Sequence, residues 1–180
     1  MRTVLALFFS TSMLLSACNL PGNDLPSIMP VPVLPMQALQ NARIHSPDWG
    51  DYQLTDGIYY RPPMNPGEAS TAYTSKFWGP TAYGDLDADG AEDAVIFLNT
   101  QNGGTGHFIE MAVMLNRDGQ PENAATVSLG DRVGVEAARI EAGVIVLDMR
   151  VQGPNDPLCC ASQAETWRFR MGGTTLLRLP

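Results

Sequence analysis

The chain has 180 residues, and its 19 acidic against 11 basic side chains give a formal net charge of −8. That length suits one domain, and the acidity argues against nucleic acid and against electrostatic docking on anionic lipid. Beyond the N-terminal run, no apolar stretch reaches the roughly 20 residues that a membrane-spanning helix needs.

The first element in chain order is a secretory signal. Residues 1–18 read MRTVLALFFSTSMLLSAC, with one positive charge at Arg2 and an uncharged, mostly apolar run from Val4 to Leu15. Such a segment is removed from the mature protein and stays outside the fold argument. Leu15-Ser16-Ala17-Cys18 resembles the bacterial lipobox, with small residues before a cysteine. The resemblance implies cleavage after Ala17, diacylglycerol on the Cys18 thiol and acylation of the new amino group. Two or more chains make a stable anchor, since each buried methylene adds about 0.8 kcal/mol. The alternative is a plain secretion signal with an unmodified cysteine. Processing removes one basic residue, Arg2, and no acidic one, so the mature chain is more acidic still. Asn19 follows the cysteine, where an Asp often marks inner-membrane retention; in an organism with two membranes, Asn favours the outer one.

Residues 18–40 read as a tether, carrying Pro21, Pro26, Pro30, Pro32 and Pro35. Proline lacks the amide proton and restricts the residue before it, which disfavours helices and central strands. An extended, semi-rigid linker is expected here, lifting the domain off the membrane. A docking motif for a proline-binding groove is the other reading.

Residues 41–180 predict an all-β domain: a single antiparallel meander closing into a small sandwich or barrel. Ala94-Val95-Ile96-Phe97-Leu98 is a short apolar run. Ile109, Met111, Val113 and Leu115 alternate, as do Ile145, Leu147, Met149 and Val151, and Trp167, Phe169 and Met171. Period-two patterning signals half-buried strands. Asp118-Gly119, Gly130-Asp131, Ala142-Gly143 and Gly172-Gly173 supply turn signals. The one stretch tempting as a helix is Glu136 to Ile140. No internal repeat is evident.

The most chemical segment is Gly84-Asp85-Leu86-Asp87-Ala88-Asp89-Gly90-Ala91-Glu92-Asp93. Asp at positions one, three, five and nine with Gly at six is a calcium-loop pattern, because a hard cation takes six to eight oxygen ligands. Asp85, Asp87, Asp89 and Asp93 would give carboxylates and Ala91 its carbonyl. Position twelve is Ile96 rather than Glu, so the loop is not an EF-hand. It resembles the strand–loop–strand calcium loop of FG-GAP repeats in integrins and related propellers, which implies a structural ion completed by Asp93. The resemblance does not extend to the fold, because a propeller needs several repeats. An acidic surface turn without an ion is the bland alternative, at the cost of unrelieved repulsion among carboxylates.

Cys159 and Cys160 lie in the segment Gly153–Ser162 between two strand patterns. Outside the cytoplasm thiols tend to oxidise, and with Cys18 lipidated these two are the possible partners. A bond between neighbours would stiffen the loop and present a flat apolar surface. It reads as a ligand platform, a redox switch or simply a rigid loop. Two cysteines with no histidine nearby in sequence argue against zinc, whose sites usually take four ligands. Asp156-Pro157-Leu158-Cys159-Cys160 followed by Thr166-Trp167-Arg168-Phe169 is similar to the C-terminal part of LppP/LprE-like lipoproteins, although Ala161 and Ser162 stand where that family usually has Pro and Thr. The resemblance implies an exported location and no particular reaction.

The remaining candidates carry less. Asn102-Gly103-Gly104-Thr105-Gly106 lacks the Lys of a phosphate loop and reads as a hairpin connection. His107 has no nucleophile motif beside it. Trp49, Trp78, Tyr52, Tyr59 and Tyr60 suit a core or rim as well as a sugar platform. The expected function is a non-enzymatic, membrane-anchored envelope lipoprotein whose calcium-stabilised β domain binds an envelope protein or glycan outside the cytoplasm. The rivals are a secreted hydrolase using Asp or Glu near the loop and a redox module built on Cys159 and Cys160.

Overall fold

The computed structural model describes residues 32–68 and 72–180. The expected signal segment 1–17, the expected lipid site Cys18 and the expected tether up to residue 31 lie outside the described residues. The described chain is almost entirely antiparallel β. A short helix, α1 (Met36–Leu39), leads into the hairpin β1 (Arg43–Ser46) and β2 (Gly50–Gln53). Five strands then form one sheet in chain order: β3 (Ile58–Arg61), β4 (Tyr73–Gly84), β5 (Asp93–Gln101), β6 (Phe108–Arg117) and β7 (Gln120–Asp131). Four more form a second sheet, also in chain order: β8 (Gly134–Glu141), β9 (Val144–Val151), β10 (Gln163–Gly172) and β11 (Thr175–Leu179). The expected meander is thus two successive meanders packed as a sandwich, with an added N-terminal hairpin.

The turn chemistry explains where the chain reverses. Asp118-Gly119 and Ala142-Gly143 both have two residues of positive φ, the signature of the type I′ turn whose twist matches a hairpin. Gly130-Asp131 acts differently. The strands it separates, β7 and β8, belong to different sheets, so this corner transfers the chain from one layer to the other. Glu136 to Ile140 is strand, inside β8; its neighbours pair with β9 over the whole length, and cross-strand pairing overrides the weak helical period.

The central strands β5 and β6 of the five-stranded sheet are buried on both faces. Val95 and Phe97 of β5 join Ile109, Met111, Val113 and Leu115 of β6 in a core with Ile145, Leu147, Met149 and Phe169 of the second sheet. The alternate residues Ala94, Ile96 and Leu98, with Ala112 and Met114, pack instead against Leu34, Leu39, Ile44, Tyr52 and Leu54. That double burial is why 94–98 reads as a continuous apolar run rather than an alternating one. At one side of the sandwich the sheets come into close contact: a Cβ on Gly84 would lie 2.8 Å from the side chain of Ile140.

The N-terminal boundary differs from the expectation of a tether through Gln40. Leu34 is 3% and Leu39 0% exposed, and burying a leucine contributes about 1.5–3 kcal/mol. Gly57 N–H donates to the Gln40 carbonyl at 2.7 Å, and the Asn116 side chain donates to the Pro32 carbonyl at 2.6 Å. Proline spacing marks where regular structure cannot form, whereas two isolated leucines do not announce that they plug a core. Among the described residues, no helix is long and apolar enough to cross a membrane.

Candidate functional site

The acidic loop joins β4 to β5. Two backbone positions shape it: Gly90, at φ 87°, and Ala88, at φ 63°, a conformation that costs a residue with a Cβ. The loop carboxylates hold the loop's own amides. Asp85 accepts from Ala88 N–H at 2.7 Å and Gly90 N–H at 3.1 Å, and Asp89 accepts from Ala91 N–H at 2.8 Å. Asp85, Asp87 and Asp89 each offer an oxygen, and those oxygens lie within 4.8 Å of one another. Among the described residues, this is the group of His, Cys, Asp and Glu side chains placed to share an ion.

Asp93 has a second task. Its carboxylate is fully buried and accepts Leu86 N–H at 2.8 Å and Asn116 N–H at 2.9 Å, fastening the loop to the end of β6. Burial pushes its pKa up, against the pull of the two amides, and the nearby Asp87 and Asp89 add to the rise. Arg117 was not legible as part of the site. Its guanidinium reaches Asp87 at 2.9 Å and Asp89 at 3.2 Å, and the Asp87 bond is the main cause of its raised pKa. The repulsion expected among bare carboxylates is therefore relieved in part by a cation from the next strand. Strand pairing of β5 with β6 is what brings a residue so distant in sequence to the loop.

The donor set suits a hard cation. Carboxylates from alternate residues, with the Ala91 carbonyl available in the same loop, are oxygen ligands of the kind calcium takes. An ion there would share or displace the Arg117 contacts.

Cys159 and Cys160 are joined by a disulfide, with their Cα atoms 3.8 Å apart. Their loop connects β9 to β10 and is pinned by Asp156, which accepts from Gly153 N–H at 2.8 Å, Ser162 N–H at 2.7 Å and the Ser162 hydroxyl at 2.6 Å. The Ser162 hydroxyl, then the two amides, hold the Asp156 carboxyl below its ordinary range. Leu158 beside the pair is 79% exposed. The cysteine pair and the acidic loop do not form one site. Cys159 borders the end of the sandwich where β5 finishes at Gln101, whereas Asp93 starts β5 at the other end. Nine residues of strand separate those ends, about 25–30 Å.

The aromatic candidates divide. Tyr52 stacks on Tyr59 at 4.9 Å, and Trp49 packs against Tyr73 and Phe108 at 5.3 and 5.5 Å, all under the N-terminal hairpin. Trp78 alone among them lines an open cleft, with His107 and Cys159. One buried acid escaped notice in the sequence. Glu110 is 0% exposed; the Ser46 hydroxyl donates to it at 2.5 Å, and Thr100 approaches at 3.5 Å. Burial pushes its pKa up, and that of Tyr52 beside it is raised to about 12, chiefly by burial and then by the Glu110 charge.

These features define an antiparallel β-sandwich domain with a cation-type loop at one end and an oxidised cysteine pair at the other. Compared with models of known families, with curated proteins and with solved structures, the chain matches none.

Proposed function

We propose that the chain is an exported envelope lipoprotein, anchored by lipid on Cys18, whose calcium-stabilised sandwich binds a protein or glycan outside the cytoplasm. The observation that carries this reading is the Cys159–Cys160 disulfide, since such bonds persist in oxidising compartments and are rare in the cytosol. It agrees with the signal and the Leu15-Ser16-Ala17-Cys18 motif. The calcium part rests on the clustered oxygens of Asp85, Asp87 and Asp89. A binding role is favoured over hydrolysis because the loop carboxylates are already engaged by loop amides and by Arg117, leaving no free acid–base pair there.

Thiol alkylation of protein taken from the native envelope tests the compartment. Neither Cys159 nor Cys160 takes label before reduction, and both take it afterwards. Labelling of both in the folded, unreduced protein would reject the bond in the cell and remove the main support for an oxidising location. Partial labelling would favour the redox reading, with an exposed bridge that exchanges with external thiols.

A further inference from the structure

Five separate segments, together with one residue of β6, meet in the cleft beside the cysteine pair. Trp78 comes from β4, Asn99 from β5, Thr105 and His107 from the β5–β6 connection, Arg132 and Val133 from the corner between the sheets, and Cys159 from the β9–β10 loop. Ile109 completes the lining, and the cavity measures about 470 Å³, inside the range of small-ligand sites. The lining is mixed. Trp78, Ile109, Val133 and the disulfide supply apolar surface, while the other four residues supply hydrogen-bonding groups.

The polar groups are held in place by a network that contributes nothing to the core. Asp131 accepts His107 N–H at 2.8 Å and pairs with Arg132 at 2.6 Å. Arg132 N–H donates to the His107 carbonyl at 2.8 Å, and the guanidinium reaches the Thr105 hydroxyl at 3.2 Å. Arg132 adopts φ 54°, a left-handed conformation that a residue with a long side chain keeps only when its surroundings impose it. Strain of this kind concentrates at ligand sites. Asn99 is under-bonded: its Oδ1 is buried with no hydrogen-bond partner, and its amide nitrogen is 3.4 Å from His107. Gln101 gives His107 a second contact, at 3.0 Å.

We infer that this cleft binds a neutral sugar ring, a pyranoside of an envelope or environmental glycan. This deepens the extracytoplasmic binding role proposed above and rests on it, though not on the lipid or the ion. Three features select that chemistry. The Arg132 charge is already balanced by Asp131, so the cleft offers no uncompensated cation to a phosphate or a sulfate. The indole and the disulfide present apolar surface to the C–H face of a ring, as aromatic side chains do at amphipathic contacts. Amide, imidazole, hydroxyl and guanidinium groups supply donors and acceptors around that surface, which a purely apolar ligand would bury unpaired at a cost.

Calorimetric titration of the purified full-length protein, in a detergent without sugar headgroups, tests this. The probes are neutral oligosaccharides of glucose, galactose, mannose and N-acetylglucosamine, with a sulfated polysaccharide and adenine as contrasts. Saturable binding is expected for at least one neutral oligosaccharide, weakened at least tenfold by Trp78→Ala and by His107→Ala. His107 is exposed, so its substitution spares the fold if the tryptophan variant does not. Arg170→Gln, on the exposed face of β10 and outside the cleft, leaves binding unchanged. The inference is overturned if no neutral oligosaccharide saturates at millimolar concentration, if only the sulfated polymer or adenine binds, or if His107→Ala has no effect. An anchored, calcium-responsive protein that fails this titration would leave the binding-domain reading standing with a protein partner in place of the glycan.

Discussion

Calcium is expected to raise the melting temperature of the sandwich, and at a free concentration one hundred times its dissociation constant to add about 2.7 kcal/mol to the unfolding free energy. Against a typical total of roughly 5–15 kcal/mol, that increment is easily read by calorimetry. The reason is geometric. Asp85, Asp87 and Asp89 hold their oxygens within 4.8 Å of one another only in the folded loop, so the ion stabilises that state alone. Magnesium, which demands a smaller octahedral shell, gives a weaker response. Asp87→Ala or Asp89→Ala removes most of the effect, while Glu92→Ala, at position eight of the loop, removes little. Arg117 adds a sharper test. Its bonds to Asp87 and Asp89 relieve the repulsion that the ion would otherwise relieve. Arg117→Gln therefore lowers stability without calcium and enlarges the calcium increment. Asp93→Ala is less diagnostic, because it orphans the amides of Leu86 and Asn116 whether or not an ion is present. No calcium by mass analysis of the purified protein, combined with an unchanged melting curve, would contradict the assignment.

Glu110→Gln removes a loss of stability that the parent suffers as pH rises out of the acid range. The Glu110 carboxyl lies beneath the β1–β2 hairpin, facing Ser46, Tyr52 and Thr100, with Asp48 the nearby charge that raises it further. Its folded pKa is raised above the unfolded one, chiefly by burial. The native state therefore keeps the proton to higher pH than the unfolded chain does. The resulting stability is fully present below the unfolded value, near 4.3 for Glu, and is lost as pH rises through the folded value. Each unit of the rise corresponds to about 1.4 kcal/mol. The stability of Glu110→Gln relative to the parent should thus increase as pH rises from 4 toward 8. Urea unfolding of both proteins across that range measures it. Parallel pH profiles would show that Glu110 titrates as an ordinary surface acid and that the hairpin does not seal it from water.

Strand content was legible because burial repeats with period two. Ile109 to Leu115 and Ile145 to Val151 both face the core that their alternation predicts. What alternation could not reveal is a second core on the opposite face. Glu110 sits at a polar position of an alternating strand, which reads as solvent-facing, yet the hairpin and α1 cover that face of the sheet. The sheet switch at Gly130-Asp131 was hidden for a related reason, since a turn residue fixes local direction and not the layer in which the next strand lands. The acidic loop was legible in Asp85, Asp87 and Asp89 because its ligands are local. Arg117 was not, because only β5–β6 pairing brings it there. The cleft was the least legible, since Trp78, His107, Arg132 and Cys159 come from four segments with no shared spacing.

Mass spectrometry of the mature N-terminus, on protein extracted from its native membrane, tests the central claim most directly. The expected first residue is Cys18, following cleavage after Ala17, carrying the mass of a diacylglyceryl group and a further acyl chain. A terminus that begins elsewhere, or a Cys18 without lipid, would contradict it.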